Sequence, residues 1–136
     1  MYKIKGLFLP EEIRLYMLIK QSTKTQYELI SLPEGVFTPE MAEELAKICS
    51  DCVAQRRSVI VDASAITDAA PNSLANLALW QSAAYAENVS WFMAGLPKHV
   101  WPEEGDEPLN ITPTLAEAID MVAMEHLERE LLDGLD

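Results

Sequence analysis

Arg57-Ser58-Val59-Ile60-Val61-Asp62-Ala63 is the stretch on which the fold turns. A strand with one solvated face alternates apolar and polar residues, whereas Ser58 to Val61 is a nearly continuous apolar run rich in β-branched residues. That is the pattern of a strand covered on both faces by helices, so the segment is expected to be central in a sheet. The helices are found on either side of it. Upstream, Thr38-Pro39-Glu40-Met41 opens a helix: Thr caps it, Pro occupies the first turn and Glu40 complements the helix dipole. Met41, Leu45, Ile48 and Cys52 follow at spacings of four, three and four, one face of a helix running to about Gln55. Downstream, Pro71 pushes Ala70 out of the helical region and suits a first turn, so a second helix is expected from Pro71 to about Ala86. Its inward set reads Leu74, Leu77, Ala78, Ala84 and Tyr85.

Further out, the segments from Met17 (MLIKQ) and from Tyr27 (YELISLP) have strand composition, and the polar Ser22-Thr23-Lys24-Thr25 between them reads as a hairpin turn. Val89 to Ala94 (VSWFMA) is another strand, ended by Gly95-Leu96-Pro97. Residues 97 to 110 hold three prolines and four acids, which predicts a loop with at most a short helical turn. Thr112-Pro113-Thr114 opens the last helix, with Leu115, Ile119, Val122 and Leu131 near one side and acids on the other. The order is strand, strand, helix, strand, helix, strand, loop, helix. It implies an α/β fold: a mixed, partly parallel sheet of about four to five strands covered by helices.

The 136 residues allow one compact domain, and an apolar fraction of 49% against 24% charged supplies a real core. The net charge of −12 is uneven. Residues 103 to 136 carry eleven acids and one base, Arg129. A surface this acidic repels phosphate backbones and anionic lipid, which argues against nucleic-acid partners and peripheral membrane binding. No apolar stretch approaches a membrane span and no secretory leader is visible, so the expected location is cytoplasmic, without membrane insertion. Residues 1 to 16 read as an N-terminal extension. Their Leu7, Phe8, Leu9 and Ile13 are more apolar than a free tail exposes, which implies packing on the domain or a homodimer contact. Residues 17 to 124 form the domain, and 125 to 136 the acidic end of the last helix.

Cys49-Ser50-Asp51-Cys52 is the one motif with redox or metal potential. A redox pair places its nucleophilic sulfur at a helix N-terminus, and these cysteines fall late in the first helix. As a zinc half-site they lack a second pair, and His99 and His126 have no ligand spacing. Core packing is the expected role. Glu103, Glu104, Asp106 and Glu107 form a charge run in a Pro/Gly loop, which reads as a solvated segment. Asp62 and Asp68 flank a loop with no nucleophile at a recognisable spacing, and Asp62 with Ser64 or Thr67 is expected to close a turn. Trp91, Trp101, Phe92 and Tyr85 either fill the core or line a ligand pocket. No glycine-rich phosphate loop exists. No catalytic residue, metal site or cofactor is expected.

On this pattern the chain from about Met17 to Met124 resembles the STAS domain of bacterial anti-sigma factor antagonists and sulfate-transporter tails. Gly35-Val36-Phe37-Thr38 stands where that family has a Gly-x-φ-Asp step into its first helix. Asp62-Ala63-Ser64-Ala65-Ile66-Thr67-Asp68-Ala69-Ala70-Pro71-Asn72-Ser73-Leu74 is similar, without a gap, to the family stretch Asp-Leu-Ser-Gly-Val-Thr-Phe-Ile-Asp-Ser-Ser-Gly-Leu, with identity at Asp62, Ser64, Thr67 and Leu74. The resemblance implies a non-enzymatic signalling regulator whose protein partner is an anti-sigma factor, a kinase-like regulator or a larger signalling assembly. The implied docking residues are Thr38, Thr67, Asp68, Ala70, Pro71, Asn72, Ser73, Leu74 and Leu77. The chain departs from the family where that family is phosphorylated: the Asp-Ser-Ser-Gly quartet reads Ala70-Pro71-Asn72-Ser73. Pro71 has no hydroxyl, so no phosphorylation is expected there, and Ser73 is expected to cap locally. The alternative is a small-ligand-sensing or transporter-accessory domain with a pocket beside Trp91 to Trp101.

Overall fold

The computed structural model describes residues 18–103, 105 and 107–134. The expectations for residues 1 to 16, and for Glu104 and Asp106 in the proline-rich loop, lie outside them. Five strands form the main sheet: β1 (Lys20–Thr23), β2 (Tyr27–Ser31), β4 (Ser58–Asp62), β6 (Trp91–Ala94) and β7 (Ile111–Thr112), in the spatial order β1-β2-β4-β6-β7. β1 pairs antiparallel to β2, and every other pair in the sheet is parallel. β4 is the central strand, and Val59, Ile60 and Val61 are fully buried. Their alternation sorts the two layers of helices. Val59 and Val61 pack with α1 (Pro39–Ala54) and α2 (Leu77–Ala86), whereas Ile60 packs with Ala118 and Val122 of α3 (Leu115–Gly134).

Local chemistry explains most boundaries. The Thr38 hydroxyl accepts the Met41 N–H at 3.2 Å, and Met41, Leu45, Ile48 and Cys52 are buried on one face of α1. Arg56, with φ 59°, ends that helix and turns the chain into β4. Among the described residues of 97 to 110, the short 3-10 turn Lys98–Val100 is the one regular element, in keeping with the prolines.

Several expectations are corrected. The hairpin turn is shorter than its polar composition implied: Ser22 and Thr23 belong to β1 and pair with Leu29 and Glu28. Two short strands absent from the sequence reading, β3 (Gly35–Phe37) and β5 (Ile66–Ala69), form a separate two-stranded parallel sheet. Thr112 lies in β7, so Thr114 caps α3 by accepting the Glu117 N–H at 3.2 Å. Regular helix after Pro71 begins only at Leu77. Residues 71 to 76 form consecutive turns, because Asn72 adopts φ 62°, off the helical path. Ala78 and Leu131 were expected to face inward and are exposed, whereas Ala118, without a place in the expected set, is fully buried.

Candidate functional site

The expected docking residues come from three places in the sequence that the small β3–β5 sheet brings together. Val36 pairs with Asp68 and Phe37 with Ala69, and the Phe37 carbonyl accepts the Ala70 N–H at 2.9 Å. This puts Thr38, next in the chain, beside Ala70 and Pro71. The approach to the shelf is held from below. Asp62 Oδ1 accepts the Ser64 N–H at 3.0 Å and the Ser64 hydroxyl at 2.7 Å, closing the turn into β5. Gly95, with φ 78°, packs so closely on that turn that an added Cβ would stand 2.8 Å from the Ser64 Cβ. Asp62 is thereby committed to structure, as expected of it.

The outer surface of the shelf consists of Thr67, Asp68, Pro71 and Asn72, all exposed, with Thr38 and Ala70 half-buried beside them. Ser73, Leu74 and Leu77 lie underneath. Leu77 is 1% exposed and Leu74 6%, so the two leucines expected to offer an apolar contact are core residues that support the surface. Their burial agrees with their expected place in the inward apolar set and leaves neither side chain on the docking surface. Ser73 is 5% exposed, and its hydroxyl donates to the Ala70 carbonyl at 2.7 Å. A phosphate there would break this bond and bring charge into the core.

His99 was missed as part of this site, and only the tertiary structure reveals it. Its Nε2 lies 3.8 Å from Asp68 Oδ1. The contact crosses a strand and a helix, and no spacing in the sequence signals it. Together with Val100, Pro102 and Glu103, His99 forms the far wall of an open cleft of about 340 Å³ against Asp68, Asn72 and Leu74. A second cleft, of about 480 Å³, continues along Ala75 and Ala78 to Leu109.

The aromatics posed as pocket-lining separate: Trp91, Phe92 and Trp101 pack in or against the core, and Tyr85 borders an open cleft of about 570 Å³. Trp91 is fully buried against Trp80 at an edge-on 61°, Phe92 is 2% exposed, and the Trp101 indole donates to the Leu96 carbonyl at 2.7 Å. Tyr85 instead joins a polar cluster on the far side. Its hydroxyl donates to Glu125 Oε1 at 2.7 Å and accepts from Asn110 Nδ2 at 2.8 Å, while Ser90 also donates to Glu125. Burial, then the neighbouring carboxylate, raises the Tyr85 pKa far above its usual value.

The two cysteines are buried and unpaired with each other. Burial pushes the Cys49 thiol up to about 12. Burial and then the Glu28 carboxylate push Cys52 up to about 11. Such thiols hold their protons near neutral pH, the opposite of a reactive pair.

Helices on both faces of a mostly parallel sheet, with one antiparallel strand at its edge, make this an α/β fold of the STAS type. Over 77% of this chain and 97% of the other, it matches the structure of the anti-sigma factor antagonist SpoIIAA in its unphosphorylated form, with TM-score 0.55 and 14% identity. A crystal structure of Mglu matches 62% of this chain with TM-score 0.52 and 14% identity, and there the chain spans 21% of the larger protein. At this identity the likeness is one of fold. No protein-family model and no curated protein matches the sequence. No described helix is long and apolar enough to cross a membrane.

Proposed function

We propose that this chain is a non-enzymatic, cytoplasmic regulator that docks on a protein partner through the shelf of Thr38, Thr67, Asp68, Ala70, Pro71 and Asn72. The observation that carries this reading is the convergence of β3, β5 and the 71–76 turns into one exposed surface, in a fold that matches an anti-sigma factor antagonist over nearly its whole length. The domain spans residues 17 to 124, with 1 to 16 as an appendage and 125 to 136 as an acidic end. The partner is an anti-sigma factor, a kinase-like regulator or an assembly containing one.

Docking is not relieved by phosphorylation at the position of the family's serine, because Pro71 has no hydroxyl and that of the nearby Ser73 is buried in a hydrogen bond. Titration calorimetry against the anti-sigma factors of the native cell tests this. Asp68→Arg and Asn72→Trp, both at exposed positions, weaken a shelf-bound partner at least tenfold. Unchanged affinity in both variants overturns the docking site.

Small-ligand sensing is the second reading, favoured by the two open clefts between the shelf and the proline-rich loop. A saturable thermal shift with a nucleotide or lipid, abolished by His99→Ala, selects it over protein docking.

A further inference from the structure

Helix α3 is apolar on two opposite sides. Ala118 and Val122 face the sheet and are fully buried. Met124, Leu127 and Leu131 recur at spacings of three and four, which places them on a single face, about 140–200° around the helix from Val122. They are 58%, 57% and 62% exposed. An outward stripe of three large apolar residues over two turns is more than scattered surface hydrophobics, and it calls for a cover.

We propose that residues 1–17 of the same chain cover the outward stripe of α3. Charge selects the occupant. α3 carries Glu117, Asp120, Glu125, Glu128, Glu130 and Asp133 against Arg129 alone, so pairing two copies of α3 through this stripe brings like charges together. Residues 1–17 combine the apolar Leu7, Phe8, Leu9 and Ile13 with Lys3, Lys5 and Arg14, opposed by only Glu11 and Glu12. Reach is sufficient. The described chain begins at Leu18, directly before the edge strand β1. Seventeen extended residues span about 55 Å, whereas a domain of this size has a radius of gyration of about 14 Å. The apolar residues of the segment then bury the stripe, and its bases lie among the α3 acids.

The test uses the whole 136-residue chain. Zero-length carbodiimide coupling, read by mass spectrometry on the monomer fraction, is expected to join Lys3 or Lys5 to α3 carboxylates such as Asp120 or Glu128. Limited trypsin digestion is expected to cut after Lys5 and Arg14 at least tenfold faster in a Leu127→Asp/Leu131→Asp variant than in the wild type, since both positions are exposed and the domain core is untouched. Equal cleavage rates overturn the proposal. So do cross-links confined to a dimer fraction, which assign the segment to a second copy, and cross-links that avoid α3.

Discussion

Arg57 Nε donates to Glu28 Oε2 at 3.0 Å, and the same guanidinium donates to the carbonyls of Lys24, Thr25 and Tyr27, so one side chain, directly before β4, closes the β1–β2 hairpin. Glu28 is nearly buried, and Gln21 and Thr23 donate to its other oxygen at 3.0 and 2.8 Å. Burial by itself raises this carboxyl's pKa. The three donors and the Arg57 charge outweigh it and hold Glu28 below its usual 4.5. A depressed carboxyl contributes stability that is present above the unfolded pKa and lost as pH falls through the folded one. Denaturant unfolding at pH 7 is expected to show Arg57→Leu destabilised by about 2 kcal/mol, the cost of a buried charge left partly unsatisfied. The difference between variant and wild type shrinks once pH falls below the folded Glu28 value. A constant difference across that range contradicts the assignment.

Gly95→Ala is expected to lower stability by about 2 kcal/mol. The new methyl meets the Ser64 Cβ at 2.8 Å and the Ser64 Cα at 3.0 Å, and φ 78° is unfavourable for any L side chain. Thermal unfolding measures this. The same substitution at Gly105, with open space around its Cβ, is the control.

Glu125 joins α3 to α2 and to the approach to β6 through Tyr85 and Ser90. Glu125→Ala is expected to cost about 1.5 kcal/mol by leaving the Tyr85 hydroxyl without its acceptor. Because burial and Glu125 raise the Tyr85 pKa, the fold retains this proton more tightly than the unfolded chain does. Stability therefore declines as pH rises above about 10, where the unfolded tyrosine ionises. A spectrophotometric titration of the native protein is expected to find a late-ionising tyrosine that disappears in Tyr85→Phe.

Pro71→Ser places a hydroxyl on the exposed shelf without disturbing Ser73. Incubated with ATP and the kinase-like partner of the proposed function, the variant is expected to gain one phosphate by intact mass, and the wild type none. Phosphate on Ser73 of the wild type contradicts the reading that this position is closed.

The central strand was legible because Ser58-Val59-Ile60-Val61 is a short run rich in β-branched residues with no charged interruption, the pattern of a strand buried on both faces. Helix α1 was legible because Thr38, Pro39 and the apolar spacing agree at every level. β3 and β5 were not legible. Each is three or four residues long, carries exposed residues such as Val36 and Asp68, and is a strand only because the other lies beside it. The start of α2 was misplaced for a related reason. Pro71 is compatible with both a first helical turn and a loop, and the left-handed Asn72 that decides between them leaves no strong mark in the sequence. Of the proposed docking residues, Thr67, Asp68, Pro71 and Asn72 are exposed. Leu74 and Leu77 face the core, as the inward apolar set had them, and so do not offer the surface contact that the resemblance implied.

The sequence by itself determined the class of fold and the missing hydroxyl at residue 71, since both follow from residue types and their local periodicity. It also determined the acidity of the last quarter of the chain, a property of composition alone. The tertiary structure decided what lies next to what: Thr38 beside Ala70 through the β3–β5 register, His99 opposite Asp68, and Ser73 sealed against Ala70. It also showed that α3 has a second apolar face, because only the packing of Ala118 and Val122 tells which side is already covered. The physical reason is range. Helix periods and turn chemistry act over a few residues, whereas a surface made from two paired strands and the turns that follow them depends on pairings that no local pattern encodes.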